Sequence, residues 1–168
     1  FILDTSTSKI NRGKIRRADK FGEKIPYGVA LDKSGKITTN AKKALEGTQL
    51  PIANFKGSGL AWMVDILSGV LTGSSHGGKT KDPFDDFSGP QNVGHLFITI
   101  NPKIFIGKQF IKEIKKNIKL VKGLPKAKGF NSILYPGERK NKLYKKNLNK
   151  DISIPRKILK EMEDLNAI

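Results

Sequence analysis

The chain has 168 residues, a formal net charge of +17 and no cysteine. That length suffices for one domain with a hydrophobic core, and the lack of cysteine excludes disulfides, thiolate metal sites and cysteine nucleophiles. No apolar run reaches the roughly 18 residues that a membrane-spanning helix needs, and no secretory signal is recognisable, so we expect a cytoplasmic protein.

The first fifty residues predict short strands and helices in alternation. The apolar start FILD has strand character, and the hydroxyl-rich segment TSTS follows it. A basic segment with apolar residues at helical spacing comes next and ends at Gly22. Gly35 then marks a tight turn, and TTNAKKAL predicts another turn of helix. Because the chain starts inside an apolar run without methionine, we expect it to be the second part of a longer protein.

The strongest helical pattern of the first half begins at FKGSG, residues 55–59. Apolar residues then recur every three or four positions in so wide a stripe that we expect this helix to be buried on most sides. Gly57 and Gly59 each lower helix propensity by about 1 kcal/mol. Lys56 beside the exposed N–H groups of a helix start would form an anion site, whereas tight helix packing explains the glycines equally well.

The segment GSSHGGKT, residues 73–80, matches the phosphate-binding pattern G-x-x-x-x-G-K-T of nucleotide hydrolases. Such a site needs a buried strand before the pattern and a helix after it. Here a helical pattern precedes the segment, and Pro83 and Pro90 prevent a helix from forming after it. We therefore predict a loop that leaves a helix, and no P-loop.

The segment GHLFITINP, residues 94–102, carries the clearest strand pattern of the chain, since its apolar residues alternate. His95 opens this segment, and His76 lies in the preceding loop. The two histidines are not at metal-ligand spacing and no cysteine assists them, so the sequence predicts no metal site. We interpret both as surface or structural residues and not as catalytic bases.

Residues 103–150 hold most of the positive charge, with fifteen Lys or Arg residues and only two acidic residues. One hypothesis is a lysine-rich nucleic-acid-binding module, in which aromatic side chains stack on bases. The other is a solvated face, because the lysines of FIKEIKKNIKLVKG occupy the polar positions of an amphipathic helix and the chain has only five arginines. The candidate stacking residues are Phe110, Phe130, Tyr135 and Tyr144.

The last third ends in an extended segment, a Pro-Gly turn at YPGERK and a final helix in SIPRKILKEMEDL. The turn presents Glu138 and Arg139, which suit ribose hydroxyls or a phosphate but are equally common on a surface reversal. No G-x-G-x-x-G dinucleotide fingerprint is present. The irregular alternation of helices and strands predicts an α/β or α+β fold.

Five segments together resemble the malate/L-lactate dehydrogenase family, which differs from the Rossmann-type lactate and malate dehydrogenases. They stand in the order and approximate spacing of the C-terminal half of that family, and the resemblance covers residues 1–168. Its members include malate, sulfolactate and ureidoglycolate dehydrogenases, diketogulonate reductase and cyclic imino-acid reductases. The segments are FILDTSTSKINRGKI, GEKIPYGVALDKSGKITTN, LPIANFKGSGLAWMVDILSGVLTG, GHLFITINP and PGER.

The resemblance implies an NAD- or NADP-dependent oxidoreductase that acts on a 2-hydroxy or 2-keto acid or a related imine. It also implies a non-Rossmann fold with a mixed, largely antiparallel sheet flanked by helices, and usually a homodimer. The N-terminal half with the catalytic histidine is expected upstream of Phe1, so this chain alone is expected to be inactive. The loop at residues 73–91 departs from the family pattern. The cofactor-binding residues implied by the resemblance are Asp4, Thr5, Ser6, Lys56, Gly57, Gly137, Glu138 and Arg139.

Overall fold

The computed structural model describes residues 1–166, which form two compact units. The central unit consists of Thr5–Ile100, and the terminal unit consists of Phe1–Asp4 together with the chain from Asn101 onward. Most of the regular secondary structure in both units is helical, and the central unit contains a small antiparallel sheet. The expectation of a mixed helix and strand fold is confirmed in this general form.

The central unit contains three helices and one two-stranded sheet among the described residues. Strands β1 and β2 are antiparallel, with Ala30 opposite Gln49 and Leu31 opposite Thr48. Helix α3 continues without interruption into a π-helical turn. In chain order the elements are α1 (Arg12–Phe21), β1 (Ala30–Leu31), α2 (Ala41–Glu46), β2 (Thr48–Gln49), α3 (Phe55–Asp65) and the π turn (Ile66–Val70).

Helices α1 and α2 begin and end where the sequence places their capping residues. The Asn11 side chain accepts from the Gly13 N–H at 2.7 Å, and the Asn40 side chain accepts from the Lys43 N–H at 2.9 Å. Each contact satisfies an N–H group that has no partner inside its helix. Gly22 ends α1 in the left-handed conformation, with φ +67°. These local contacts therefore explain where α1 begins and ends and where α2 begins.

The hydrophobic core of the described residues lies in the first part of the central unit, between α1 and α2. Ile15 is its one fully buried large side chain. In the described part of the terminal unit no apolar side chain is buried. The core residues are Ile10, Ile15, Ala18, Ile25, Ala30, Ala41 and Ala44.

The loop at residues 73–91 is fastened to α1 by Arg16. The Arg16 guanidinium lies 2.5 Å from a carboxylate oxygen of Asp82 and 3.0 Å from one of Asp85. The same group stacks over the Phe84 ring, 4.4 Å from its centroid. These contacts hold the middle of the loop against the central unit.

Two predictions about the central unit are wrong. Helix α3 forms as expected, but Gly57 is its only buried residue, and Trp62 is 71 % exposed. The strand pattern of residues 94–100 forms no ladder, because none of these residues makes a backbone hydrogen bond to another described residue. Both segments have the composition of buried elements, and the described chain provides nothing that covers them.

The terminal unit contains a short 3-10 turn and three helices among the described residues. The sequence predicts correctly the helices at Gln109–Lys122 and Arg156–Asn166. It misses the helix at Glu138–Asn147, because the segment ERKNKLYKKN carries too few apolar residues to show a helical stripe. The apolar start FILD is not a strand; the Ile2 N–H donates to the Pro136 carbonyl at 3.1 Å. The helices are α4 (Gln109–Lys122), α5 (Glu138–Asn147) and α6 (Arg156–Asn166).

Among residues 1–166, every helix is too short or too polar to span a membrane.

Candidate functional site

In the terminal unit, the first residues of the chain lie against the turn that precedes α5. The Lys140 ammonium forms an ion pair with the Asp4 carboxylate and lowers the pKa of Asp4 through that hydrogen bond. Gly137 has φ +91°, and a Cβ at this position would lie 3.1 Å from both Cβ and the carbonyl oxygen of Ile2. A residue other than glycine would therefore strain the turn and push the first residues away.

Two clefts flank this contact in the terminal unit. A cleft of about 320 Å³ has Asp4, Gly137 and Arg139 in its lining. A second cleft of about 390 Å³ has Tyr135, Gly137 and Tyr144 in its lining. Both volumes fall in the range of small-molecule sites, roughly 300–1,000 Å³. The structure thus brings together three of the predicted site residues, which come from opposite ends of the sequence.

Glu138, the fourth predicted residue of this unit, is buried and held by two lysines. It is 5 % exposed, and its Oε1 accepts from the ammonium groups of Lys122 at 2.6 Å and Lys142 at 2.8 Å. Its Oε2 lies 3.4 Å from the Tyr135 backbone nitrogen, which donates to it. The hydrogen bond from Lys122, followed by that from Lys142, lowers the pKa of Glu138 to about 2. The carboxylate therefore ties α4, α5 and the intervening turn together.

We expect the terminal unit to lose stability in acid because of Glu138. A carboxyl whose pKa is lower in the folded state stabilises that state above its unfolded pKa, near 4.5, and this contribution disappears as the pH falls toward about 2. In Glu138→Gln the stability of the terminal unit should change much less with pH over this interval. At pH 7 it should be lower than the stability of the unchanged chain. Thermal melts between pH 2 and pH 7, followed by tyrosine circular dichroism, measure the effect. Glu113→Gln is the control, because Glu113 is exposed and lies 3.9 Å from Lys116; equal pH profiles of the two variants would contradict the assignment.

In the central unit, the start of α3 lies beside the hydroxyl-rich segment of residues 5–8. The Thr7 carbonyl accepts from the Ile52 N–H at 2.9 Å. Gly57 is buried against the same residue, since a Cβ on Gly57 would lie 1.9 Å from the Ile52 carbonyl oxygen. Around Gly59 no atom lies within 4 Å of such a Cβ. Close packing therefore requires glycine at position 57 and not at position 59.

The two residues that lead into α3 have unusual backbone conformations. Ala53 has φ +47° and Asn54 has φ +53° with ψ −122°, although neither is glycine. Such conformations cost about 1–3 kcal/mol each and cluster at binding sites. The Asn54 side chain makes no capping hydrogen bond, and Lys56 is exposed. The Lys56 N–H donates to the Ala53 carbonyl at 3.2 Å, so the helix start has the Phe55 and Gly57 N–H groups without a backbone acceptor among the described residues, next to the accessible Lys56 ammonium.

The predicted residues Thr5 and Ser6 lie at the surface of the same unit. The Thr5 hydroxyl donates to the Ser6 carbonyl at 3.0 Å, and the Ser6 hydroxyl lies 3.0 Å from that of Ser8. These hydroxyl groups are exposed, and each has oxygen lone pairs that can accept a further hydrogen bond.

Neither histidine belongs to a catalytic arrangement within the described chain. The His76 Nδ1 lies 3.0 Å from the Ser74 carbonyl, and the His95 ring has its contact with Phe97. No group of three or more His, Asp or Glu residues at metal-binding distance occurs among residues 1–166. The P-loop-like segment is a loop as predicted, and the Asp65 carboxylate accepts from its Gly77 N–H at 2.9 Å.

Sequence reasoning missed the lysines that organise the terminal unit. Lys142 follows Glu138 by four residues, a helical spacing that would have indicated the ion pair had α5 been recognised. Lys122 and Lys140 contact residues 16 and 136 positions away in the chain. No local pattern encodes such contacts, and they are lost among the many lysines of this region.

The family model described as malate/L-lactate dehydrogenase matches residues 1–163. The chain is 35% identical over 164 residues to a malate/(S)-sulfolactate dehydrogenase of Methanothermus fervidus, with 97% of this chain and 47% of that protein covered. It is 40% identical over 104 residues to a (2R)-3-sulfolactate dehydrogenase (NADP(+)) of Chromohalobacter salexigens, covering 62% of this chain and 31% of that protein. The names of matching relatives include both NAD(+) and NADP(+).

A solved structure of similar fold is the sulfolactate dehydrogenase from Methanocaldococcus jannaschii. It superimposes with a TM-score of 0.79 at 37% identity, covering 96% of this chain and 46% of that one. The chain thus spans about half the length of the relatives that it matches.

Proposed function

Because this chain belongs to the malate/L-lactate dehydrogenase family, we propose that it is the cofactor-binding part of an NAD- or NADP-dependent oxidoreductase. The reaction is hydride transfer between nicotinamide and a 2-hydroxy or 2-keto acid, or a related imine. The observation that carries this proposal is the cleft in which Asp4, Gly137 and Arg139 meet, all three within the family match. Two stretches implied by the resemblance are adjacent there.

Each predicted residue of the terminal unit has its own proposed role in the cofactor site. Arg139 offers a guanidinium to a phosphate group, and Gly137 allows the ligand to approach the backbone closely. Glu138 positions the turn through its two lysines and does not contact the ligand. The Tyr135 and Tyr144 rings in the second cleft suit a planar base.

In the central unit, the start of α3 is the proposed diphosphate site. Its uncapped N–H groups and the Lys56 ammonium favour an anion, and Gly57 keeps the helix close to Ile52. The Thr5 and Ser6 hydroxyl oxygens are proposed to accept hydrogen bonds from donor groups of the cofactor, such as its ribose hydroxyls. The strained conformation of Asn54 is consistent with a binding role.

The general acid or base is proposed to lie outside this chain. His76 lies beside the Ser74 carbonyl and His95 contacts Phe97, and neither histidine lines the clefts of the terminal unit. When bound, the nicotinamide supplies the hydride, while this chain's residues bind and orient it. We further propose that the complete enzyme is a homodimer in the cytoplasm, and that this chain alone binds cofactor without turnover.

Titration of the chain with NADH and NADPH tests the proposal, with energy transfer from Trp62 to the reduced nicotinamide as the signal. Trp62 is the only tryptophan and lies in α3. Lys56→Ala and Arg139→Ala should each weaken binding at least about tenfold, the loss expected for a charged hydrogen bond. Lys33→Ala, in an exposed turn, should bind like the unchanged chain. No saturable signal, or equal affinities in all variants, would contradict the proposal.

Exposed aromatic residues favour a second candidate function, the lysine-rich nucleic-acid-binding module. Phe130 and Tyr144 are exposed in the lysine-rich region, as stacking on bases requires. Nucleic-acid binding would weaken steeply with salt and would be unaffected by dinucleotide. Competition between single-stranded RNA and NADPH, measured at two salt concentrations, separates the two functions.

A further inference from the structure

The cleft of about 320 Å³ in the terminal unit carries more positive than negative charge. Asp4, Arg139 and Lys140 belong to its lining, and Asp4 is the one acidic residue among the described lining residues. The other lining residues are apolar, apart from Tyr135. The cleft therefore offers two cations against one carboxylate, and what it binds depends on how these three charges are paired.

Lys140 already occupies the Asp4 carboxylate. The two side chains form an ion pair, and the hydrogen bond from Lys140 lowers the pKa of Asp4, so the carboxylate is charged at neutral pH. Both side chains remain exposed, so a molecule in the cleft can reach them. The Ile2 N–H donates to the Pro136 carbonyl at 3.1 Å, which keeps the first residues of the chain beside the turn independently of the ion pair.

Arg139 is the charge of this cleft that lacks a counterion. No acidic side chain of residues 1–166 lies within ion-pair distance of its guanidinium. The neighbouring Glu138 does not supply one, because Lys122 and Lys142 hold its carboxylate. An unpaired guanidinium in a cleft suits a phosphate group, which accepts two parallel hydrogen bonds from it.

This pairing of charges bears on the difference between NAD and NADP, which is a hydroxyl or a phosphate at the ribose 2′ position. In Rossmann-type sites a free carboxylate accepts a hydrogen bond from the 2′-hydroxyl of NAD, whereas an arginine accommodates the 2′-phosphate of NADP. The same chemistry holds on another fold, because a phosphate carries about −1.5 to −2 charges at pH 7 and a free carboxylate repels it. In this cleft the carboxylate is neutralised and the guanidinium is free, which matches the phosphate.

We propose that the ion pair between Asp4 and Lys140 makes this cleft selective for the 2′-phosphate of NADP(H) over the 2′-hydroxyl of NAD(H). Arg139 binds the phosphate. Lys140 is the specificity-determining residue, because it cancels the charge of Asp4 and brings a second cation to the cleft. The second cleft, with Tyr135 and Tyr144, also has Lys140 in its lining, so a base there and a phosphate here can belong to one nucleotide. This inference rests on the proposed function and goes beyond it by choosing between the two cofactors.

Isothermal titration calorimetry of the full 168-residue chain with NADPH and NADH tests the selectivity. We expect NADPH to bind at least about tenfold more tightly, the gain of one charged hydrogen bond. Adenosine 2′,5′-bisphosphate should be preferred over adenosine 5′-monophosphate to the same extent, because this pair differs only in the 2′-phosphate and lacks the nicotinamide. The preference should shrink as the salt concentration rises, since the charged groups are exposed.

Two variants break the same ion pair and are expected to have opposite effects. Lys140→Ala leaves an unpaired carboxylate facing the phosphate, so NADPH binding should weaken at least about tenfold while NADH binds as tightly or more tightly. Asp4→Asn removes the negative charge and releases Lys140 for the phosphate, so NADPH binding should tighten about threefold or more. If the ion pair only held the chain in place, both variants would weaken both cofactors.

Lys145→Ala is the matched control. It removes the same charge from the same helix, and Lys145 is exposed and lies outside the lining of both clefts. We expect its affinities for NADPH and NADH to stay within about twofold of those of the unchanged chain, and thermal melts verify that all variants are folded. An effect as large as that of Lys140→Ala would assign the selectivity to net charge and would overturn the inference.

The remaining outcomes separate this inference from the proposed function. Equal affinities for NADPH and NADH, or changes of NADPH affinity with the same sign in Lys140→Ala and Asp4→Asn, would overturn the inference and leave the proposed function standing. Displacement of NADPH by an equal concentration of inorganic phosphate would indicate a general anion site and would also overturn it. If neither cofactor nor either adenosine phosphate binds, the inference and the proposed function both fail.

Discussion

Replacing Gly57 by alanine is expected to destabilise the central unit by about 1–3 kcal/mol, the usual cost of overpacking. The added Cβ would lie 1.9 Å from the Ile52 carbonyl oxygen, so the first turn of α3 must move away from residues 51–54. The same replacement at Gly59 meets no atom within 4 Å and should stabilise the helix by about 0.5–1 kcal/mol. Alanine at position 57 is thus expected to lower the free energy of unfolding, and alanine at position 59 is expected to raise it.

Urea denaturation of both variants, followed by Trp62 fluorescence, measures this difference. Because the displaced turn also carries the proposed diphosphate site, Gly57→Ala should weaken NADH binding as well, whereas Gly59→Ala should not. If both substitutions change the free energy of unfolding by the same amount, Gly57 is not packed against Ile52 as described.

Ile15→Ala should have the largest effect of any single substitution considered, a loss of about 2–5 kcal/mol. Ile15 is fully buried between α1 and α2, in a core whose other buried members include four alanines. With so few large side chains, the central unit has little else to replace the lost contacts. At a typical total stability of about 5–15 kcal/mol, this loss is a large share of the free energy of unfolding.

Ile37→Ala is the control for the core substitution, because Ile37 is an exposed isoleucine of the same unit. We expect its unfolding free energy to stay within about 0.5 kcal/mol of the unchanged chain. Chemical denaturation followed by far-ultraviolet circular dichroism compares the two. Equal losses at both positions would mean that the region between α1 and α2 is not the core.

Helices with local signals were predictable from the sequence. Gly22 ends α1 as the sequence predicts, and the Asn11 and Asn40 caps also act through contacts within a few residues. Burial was not predictable in the same way. The apolar stripe of α3 indicates a helix that is covered on most sides, but whether a cover is present depends on other parts of the fold. The wrong strand prediction for residues 94–100 has the same cause.

In the candidate site, too, one part was predictable from the sequence and another part was not. The resemblance implied a cofactor site that includes Asp4 and Gly137, and in the structure both residues line one cleft of the terminal unit. The lysines that hold this arrangement were not foreseen, because Lys122 reaches Glu138 from another helix. Composition indicated a strongly basic region, but only coordinates separate a structural lysine from a solvated one.

Transfer of deuterium from the cofactor to the substrate tests the central claim most directly. The chain, joined ahead of Phe1 to the unmatched part of the Methanocaldococcus jannaschii sulfolactate dehydrogenase, would be incubated with NADH or NADPH that carries deuterium at both hydrogen positions of the nicotinamide C4. The 2-keto acids offered include the keto forms of malate and sulfolactate. The account predicts a 2-hydroxy acid with one deuterium at C2, and slower transfer in Lys56→Ala and Arg139→Ala. No reduced product, or a product without deuterium at C2, would contradict it.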